Sequence, residues 1–287
     1  MEAPLVGADG KSLSGVPFTK MSGSGNDFVF FDGRDASLRS LEREDVITRL
    51  CARGPGVGAD GVVWVLPGES GAVYRMRYRN SDGSIADMCG NASLCSITFA
   101  ARLGLVRQGV PFEFDSDAGR LRGLIRPDGK PQVTLTAIKG LTGKAAPATD
   151  NSELRMGFAD SGVPHLVVEV GDAEAVDLPA RGRSLRFSPE LAPAGANVNF
   201  VSKARDGRGW RMRTYERGVE GETLACGTGA AATGAVLRSW GSAGDEVVIE
   251  TTSGRDLLVS IHEDGGVTTP SLSGEGRIVF DGVVTDL

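Results

Sequence analysis

The chain repeats itself. Residues 89–104 read CGNASLCSITFAARLG and residues 226–241 read CGTGAAATGAVLRSWG. Both begin Cys-Gly, continue with a small polar residue and close on a glycine, and their offset is 226 − 89 = 137 residues. The same offset carries Tyr78 in RYRN onto Tyr215 in TYER, and Gly25 in GNDFVFFD onto Gly162 in GVPHLVVEV. Landmarks in one order at one offset divide the 287 residues into two similar α/β halves, 1–136 and 137–274. The last segment, 275–287, is a candidate strand returning to the first half.

Between the landmarks the pattern is β-rich, of α+β character. Short apolar or alternating segments (DFVFFD, GVVWVL, AVYRMRYR, VPFEF, LRGLIR, PQVTLT, HLVVEV, NVNFVS, GWRMRTY, EVVIET, DLLVSI, RIVF) are bounded mostly by Gly, Asp, Asn or Pro. PDGK at 127–130 and SGRD at 253–256 predict hairpin connections. An amphipathic helix is expected near 41–53, with Val46, Ile47, Leu50 and Cys51 on one face and Gly54 as its stop. Two more helices are expected directly after Cys89 and Cys226.

Several function classes are disfavoured. A net charge of −6 argues against nucleic acid, whose phosphates call for a basic surface. No apolar run approaches the ~20 residues that cross a bilayer. MEAPLVGADGKSLSG lacks the pattern of a secretory signal, which makes a cytoplasmic location the expectation. Cys51, Cys89, Cys95 and Cys226 form no Cys-x-x-Cys pair, and His165 and His262 are isolated, so no metal site is expected. A reducing compartment also disfavours structural disulfides. The thiols are therefore packed hydrophobes or reactive groups. Cys51, on the apolar helix face, and Cys95, inside a helix, read as packing.

Cys89 and Cys226 read differently because each precedes a helix. The first N–H groups of a helix lack partners and the macrodipole is positive there, which favours a thiolate and binds carboxylates. Gly90 and Gly227 let a ligand approach the backbone, and Asn91 and Thr228 can add side-chain hydrogen bonds. If an approximate twofold axis relates the halves, both thiols flank one ligand in a shared cleft. That arrangement suits inversion of an amino-acid stereocentre, one group removing the α-proton and the other returning a proton to the opposite face. Such chemistry can proceed without a metal or pyridoxal cofactor. The alternative from another class is a redox or binding protein in which the two cysteines form a regulatory disulfide.

FTKMSGSGNDFVFFD, GVGADG, NSDGSIADMCGN, PHLVVEV, NVNFV and ERGVEGETLACGTGAAA together resemble the diaminopimelate epimerase family from about Phe18 to Val284. The resemblance implies interconversion of LL- and meso-diaminopimelate, a step toward lysine and peptidoglycan. It implies two pseudo-symmetric halves, each a mixed or antiparallel sheet wrapped around a central helix, with the active site in the cleft. No cofactor and a homodimer are also implied. By the same resemblance, Cys89 and Cys226 are the catalytic bases, while Gly90, Asn91, Gly227 and Thr228 hold the α-carboxylate. Asn26, Asn80, Asn197 and Arg217 recognise the distal end, Glu216 lies near the substrate amino group, and His165 supports the pocket. The chain departs from the common pattern at Ala92, Ser93 and Leu94 of CGNASLC, and at Ser22, Gly61 and Val163. Glu220 reads as a one-residue insertion. Val163 and Gly61 bear on the distal end, where a lost hydrogen bond relaxes specificity. The nearest alternative is a two-thiol racemase acting on histidine or a proline derivative.

Overall fold

A computed structural model describes residues 14–35, 41–85, 89–147, 149–150 and 152–285. The chain forms two compact units, residues 1–133 with 275–287 and residues 134–274.

The first unit contains strands β1 (Pro17–Gly23) and β2 (Asn26–Asp32), helix α1 (Glu44–Cys51), and strands β3 (Gly61–Pro67) and β4 (Tyr74–Asn80). Helix α2 (Gly90–Arg102) follows, then β5 (Phe112–Ser116) and β6 (Gly119–Ile125), and β7 (Pro131–Thr134) runs across the boundary. The C-terminal strand β17 (Arg277–Val283) closes the unit by pairing antiparallel with β1, from Pro17 opposite Val283 to Ser22 opposite Arg277. Its sheet therefore runs β17-β1-β2-β3-β4-β5-β6, with β2–β3 and β4–β5 parallel.

The second unit contains β8 (Lys139–Thr142), β9 (Glu153–Asp160), β10 (Pro164–Val170), helix α3 (Leu178–Arg186), β11 (Asn197–Lys203) and β12 (Trp210–Glu216). It continues with β13 (Gly221–Thr223), helix α4 (Gly227–Ser239), β14 (Glu246–Glu250), β15 (Asp256–Asp264) and β16 (Val267–Ser273). The sheet order is β8-β9-β10-β11-β12-β14-β15-β16, with β13 beside β12. From β8 to β15 it has the same parallel and antiparallel pattern as the first unit has from β17 to β6.

Parallel neighbours need a crossover, and each unit uses a helix for it: α1 between β2 and β3, α3 between β10 and β11. In α1, Glu44 and Asp45 complement the positive helix start and Arg49 the last turn. Its buried face packs with Val29, Phe31, Val62 and Trp64. The alternate residues of β2 serve the other side of the sheet, where Phe30 meets Phe99 of α2 with ring centroids 5.3 Å apart. Each such side chain, fully removed from water, contributes about 1.5–3 kcal/mol. In the second unit Leu178 and Leu185 of α3 pack with Leu166, Val168, Val198, Phe200 and Tyr215.

The central helices α2 and α4 are each thirteen residues long and almost wholly buried. Burial on all sides explains the small residues of α4: a Cβ at Gly234 would lie 2.7 Å from Val259.

The repeat is less uniform than 137 throughout. Gly25 and Gly162 do match, with φ of 110° and 108°. In the sheets, however, Phe28 lies opposite Gly61 and Val63 opposite Tyr78, while His165 lies opposite Asn197 and Asn199 opposite Thr214. The register thus places Tyr78 with Thr214 rather than Tyr215, and Val63 with Asn199, at 199 − 63 = 136. The additional residue enters between β12 and α4, where Glu220 has a left-handed φ of 54°.

Candidate active site

Cys89 and Cys226 each stand immediately before the central helix of their own unit. Their backbones agree closely, with φ −132° and ψ 110° at Cys89 and φ −130° and ψ 108° at Cys226. That extended conformation turns the side chain back over the first helical turn. Each sulfur then accepts from the N–H three residues on, Ala92 at 3.5 Å and Gly229 at 3.4 Å. A protonated sulfur accepts such a bond weakly, whereas a thiolate would accept it as a charged group. Neither first turn contains an acidic residue that would cancel the helix dipole. Cys226 is buried and Cys89 partly so.

The remaining two cysteines lack this setting. Burial in α1 pushes the Cys51 thiol up to about 12, and complete burial in α2 pushes Cys95 well above its usual range. Both remain neutral packing groups.

In the first unit, the turn after β1 passes through left-handed Ser24 and Gly25 and presents Asn26. Asn26 Nδ2 donates to Asp60 Oδ2 at 3.0 Å, and its Oδ1 accepts from Asn91 Nδ2 at 2.7 Å. Asp60 also receives Arg53 at 2.8 Å and the Asp27 N–H at 3.1 Å. Asn26 and Asn91 are therefore brought together beside Gly90 at the start of α2. Asn80 stands apart, because its Nδ2 donates to Ser84 Oγ at 2.9 Å and its N–H to the Ser84 carbonyl at 3.0 Å, within its own turn.

In the second unit, Asn197 Oδ1 accepts the Arg217 N–H at 2.7 Å, and its Nδ2 donates to the Pro164 carbonyl at 3.3 Å. Its side chain thereby fixes the backbone that carries Arg217. Glu216, at the end of β12, accepts from Thr223 Oγ1 at 2.7 Å. Burial pushes its carboxyl up, and the Thr223 bond only partly offsets this. A cation placed there would restore the charged form. Thr228 follows Gly227 in α4, and its hydroxyl lies 3.1 Å from His165 Nε2 and 3.5 Å from Cys226 Sγ. His165 is fully buried, and its Nδ1 lies 3.1 Å from Asn199 Nδ2. Burial, with the Arg217 charge nearby, lowers its pKa to about 3, so the ring is neutral near pH 7.

Asp60, Asn199 and Thr214, whose Oγ1 donates to Asn199 Oδ1 at 2.9 Å, belong to these networks without having been singled out in the sequence. Asn199 had a readable signal: it alternates with Asn197 on β11, so two amides share one face of a largely buried strand. Among the described residues, no group of three or more His, Cys, Asp or Glu side chains is placed to hold a metal. No helix among them is long and apolar enough to cross a membrane.

The fold is one seen in phenazine-biosynthesis and epimerase proteins. A Bacillus anthracis phenazine biosynthesis protein of the PhzF family superposes with a TM-score of 0.73 at 16% identity, covering 94% of this chain and 98% of that one. A hydroxyproline epimerase from Agrobacterium vitis gives a TM-score of 0.65 at 17% identity, over 93% and 92%. At such identities the likeness defines the fold alone. Sequence comparison is more particular: the family model for diaminopimelate epimerase matches residues 18–145 and 157–278. A diaminopimelate epimerase of Gemmatimonas aurantiaca is 46% identical, over 95% of this chain and 100% of the relative. One from Aquifex aeolicus is 39% identical, over 94% and 98%. The chain belongs to the diaminopimelate epimerase family.

Proposed function

We propose that this protein is an isomerase interconverting LL- and meso-diaminopimelate by two-base proton transfer, with Cys89 and Cys226 as the bases and no cofactor. The observation that carries the mechanism is the matched pair of helix-capping sulfurs, each accepting a backbone N–H in the same conformation. In one direction a thiolate takes the α-proton, breaking C–H and forming S–H. The other thiol then gives its proton to the opposite face, leaving a thiolate behind. The reverse reaction exchanges the roles, and no redox change occurs. Charge developing on the α-carboxylate is met by the N–H groups at Gly90, Asn91, Gly227 and Thr228, and one such donor is worth roughly 2.7–4 kcal/mol.

Recognition of the rest of the substrate follows from charge. Among the described residues the Arg217 guanidinium makes no ion pair, which leaves its planar fork for the distal carboxylate. Asn197 holds Arg217 in place, Asn26 supplies an amide at the distal end, Asn80 adds a second only by releasing Ser84, and Glu216 pairs with an ammonium group. His165 supports the pocket from beneath Thr228.

The test is solvent-deuterium incorporation at the α-carbon of LL-diaminopimelate, followed by NMR. Incorporation together with appearance of the meso isomer is expected. An enzyme that exchanges only proline or histidine, or nothing, would sink the assignment.

A cytoplasmic homodimer completes the proposal; recovery in a membrane or extracellular fraction would contradict the location. Among the described residues β17 pairs only with β1, leaving an edge strand with Val279, Phe280 and Val283 exposed. Such edges invite pairing with another copy. Phe280→Glu is expected to shift sedimentation from dimer to monomer; a wild-type chain that is monomeric at micromolar concentration would refute the dimer.

A further inference from the structure

We propose that a directed hydrogen-bond chain, Thr214 to Asn199 to His165 to Thr228, aims the Thr228 hydroxyl at Cys226 and favours its thiolate. The inference rests on the two-base reading, in which Cys226 must carry that charge, and assigns His165, Asn199 and Thr214 as positioning residues.

The direction follows from donor and acceptor inventory. Asn199 Nδ2 donates to the Leu166 carbonyl at 3.3 Å, and Asn199 Oδ1 accepts from Thr214 Oγ1 at 2.9 Å. A carbonyl cannot donate, so Leu166 fixes the amide in one orientation. The amide NH2 consequently faces His165 Nδ1 at 3.1 Å, and Nδ1 must accept. A neutral imidazole has a single N–H, which then sits on Nε2 and donates to Thr228 Oγ1 at 3.1 Å. With that bond accepted, the hydroxyl proton of Thr228 points to Cys226 Sγ at 3.5 Å. The Gly229 N–H meets the same sulfur at 3.4 Å. Burial of the ring, and after it the Arg217 charge, opposes a second proton and keeps the relay in its single-proton form.

The other unit makes the contrast. By strand register, Phe28, Val63 and Tyr78 hold the places of His165, Asn199 and Thr214. There Phe28 and Tyr78 pack edge to face at 5.9 Å. An apolar layer in one half corresponds to a polar relay in the other, so the two thiols rest on different supports. Buried polar groups that could have been aliphatic cost stability unless each is satisfied, and here each is.

Two measurements on the full-length protein test this without substrate. With only His165 and His262 present, 15N-histidine labelling resolves both rings, and His165→Gln assigns them. His165 is expected in the neutral Nε2–H form around pH 7; a protonated ring or the Nδ1–H form would overturn the relay. Alkylation of Cys226 by iodoacetamide at pH 7, followed by peptide mass mapping, reads its thiolate. Thr228→Val is expected to slow it about tenfold, the worth of a hydrogen bond to a charged group. Thr228→Ser should keep the wild-type rate, and Cys89 should react unchanged in both. Equal Cys226 rates in Thr228→Val and wild type, or an equal slowing at Cys89, would refute the proposal. Deuterium exchange by the wild-type enzyme fails or succeeds independently, so loss of the epimerase reading is told apart from loss of the relay.

Discussion

Cys89→Ser and Cys226→Ser are each expected to lower turnover by about 10²–10⁴-fold while leaving the fold in place. The two halves of that expectation have separate causes. Serine is among the preferred residues before a helix, so its oxygen can take over the bond from Ala92 or Gly229 and the helix start is kept. A hydroxyl, unlike a thiol, has almost no anionic form near neutrality, so neither proton abstraction nor return to the thiolate state is supported. Turnover of LL-diaminopimelate and thermal melting, measured on the same preparations, check both parts. Undiminished turnover in either variant would remove the two-base mechanism; a collapsed melting curve would show that the sulfurs are structural.

Gly229→Ala is expected to cost about 1–3 kcal/mol of stability and more than tenfold in activity. A Cβ at this position would lie 2.6 Å from Asn199 Oδ1 and 3.2 Å from both Cβ and Sγ of Cys226. Asn199 is held by Thr214 and Leu166 and cannot swing away without breaking those bonds. Relief must come from the first turn of α4, which displaces the N–H that caps Cys226. The corresponding residue of α2 is Ala92, where β3 provides Val63 in place of Asn199. The glycine therefore answers to the amide beneath it rather than to helix geometry. Gly171→Ala is the control: nothing lies within 4 Å of its added methyl, and a change of no more than about 0.5 kcal/mol is expected. Matching melting temperatures for Gly229→Ala and wild type would show that the contact yields freely.

The sequence exposed the elements whose buried residues are aliphatic or aromatic and hid those buried by other means. Helix α1 was legible from Val46, Ile47, Leu50 and Cys51, although it starts later than its pattern suggests, at Glu44. Its counterpart α3 was not, because its inner face includes Gly182, where a Cβ would sit 2.7 Å from Tyr215. Strand β1 buries Thr19 and Lys20, and the Lys20 ammonium is neutralised by Asp27 at 2.7 Å, a partner that no local pattern reveals. Strand β16 buries Ser271 and Ser273 around Pro270, so it reads as a loop. The site divides the same way. Cys89 and Cys226 drew notice because the motif occurs twice. Asn199, His165 and Thr214 lie on three different strands and meet only through inter-strand register, which a linear pattern does not contain. The register also corrected the repeat itself, since matching identical tyrosines concealed a one-residue slip.

The return of β17 to β1 has a bearing on biosynthesis. A ribosome releases residues 134–274 as an uninterrupted stretch, sufficient for one half to condense. The half translated earlier must wait with an open sheet margin along β1 until β17 emerges from the exit tunnel. The unit begun first is thus completed after its neighbour, and deleting β17 would injure the unit that carries β1 rather than the one translated just before it.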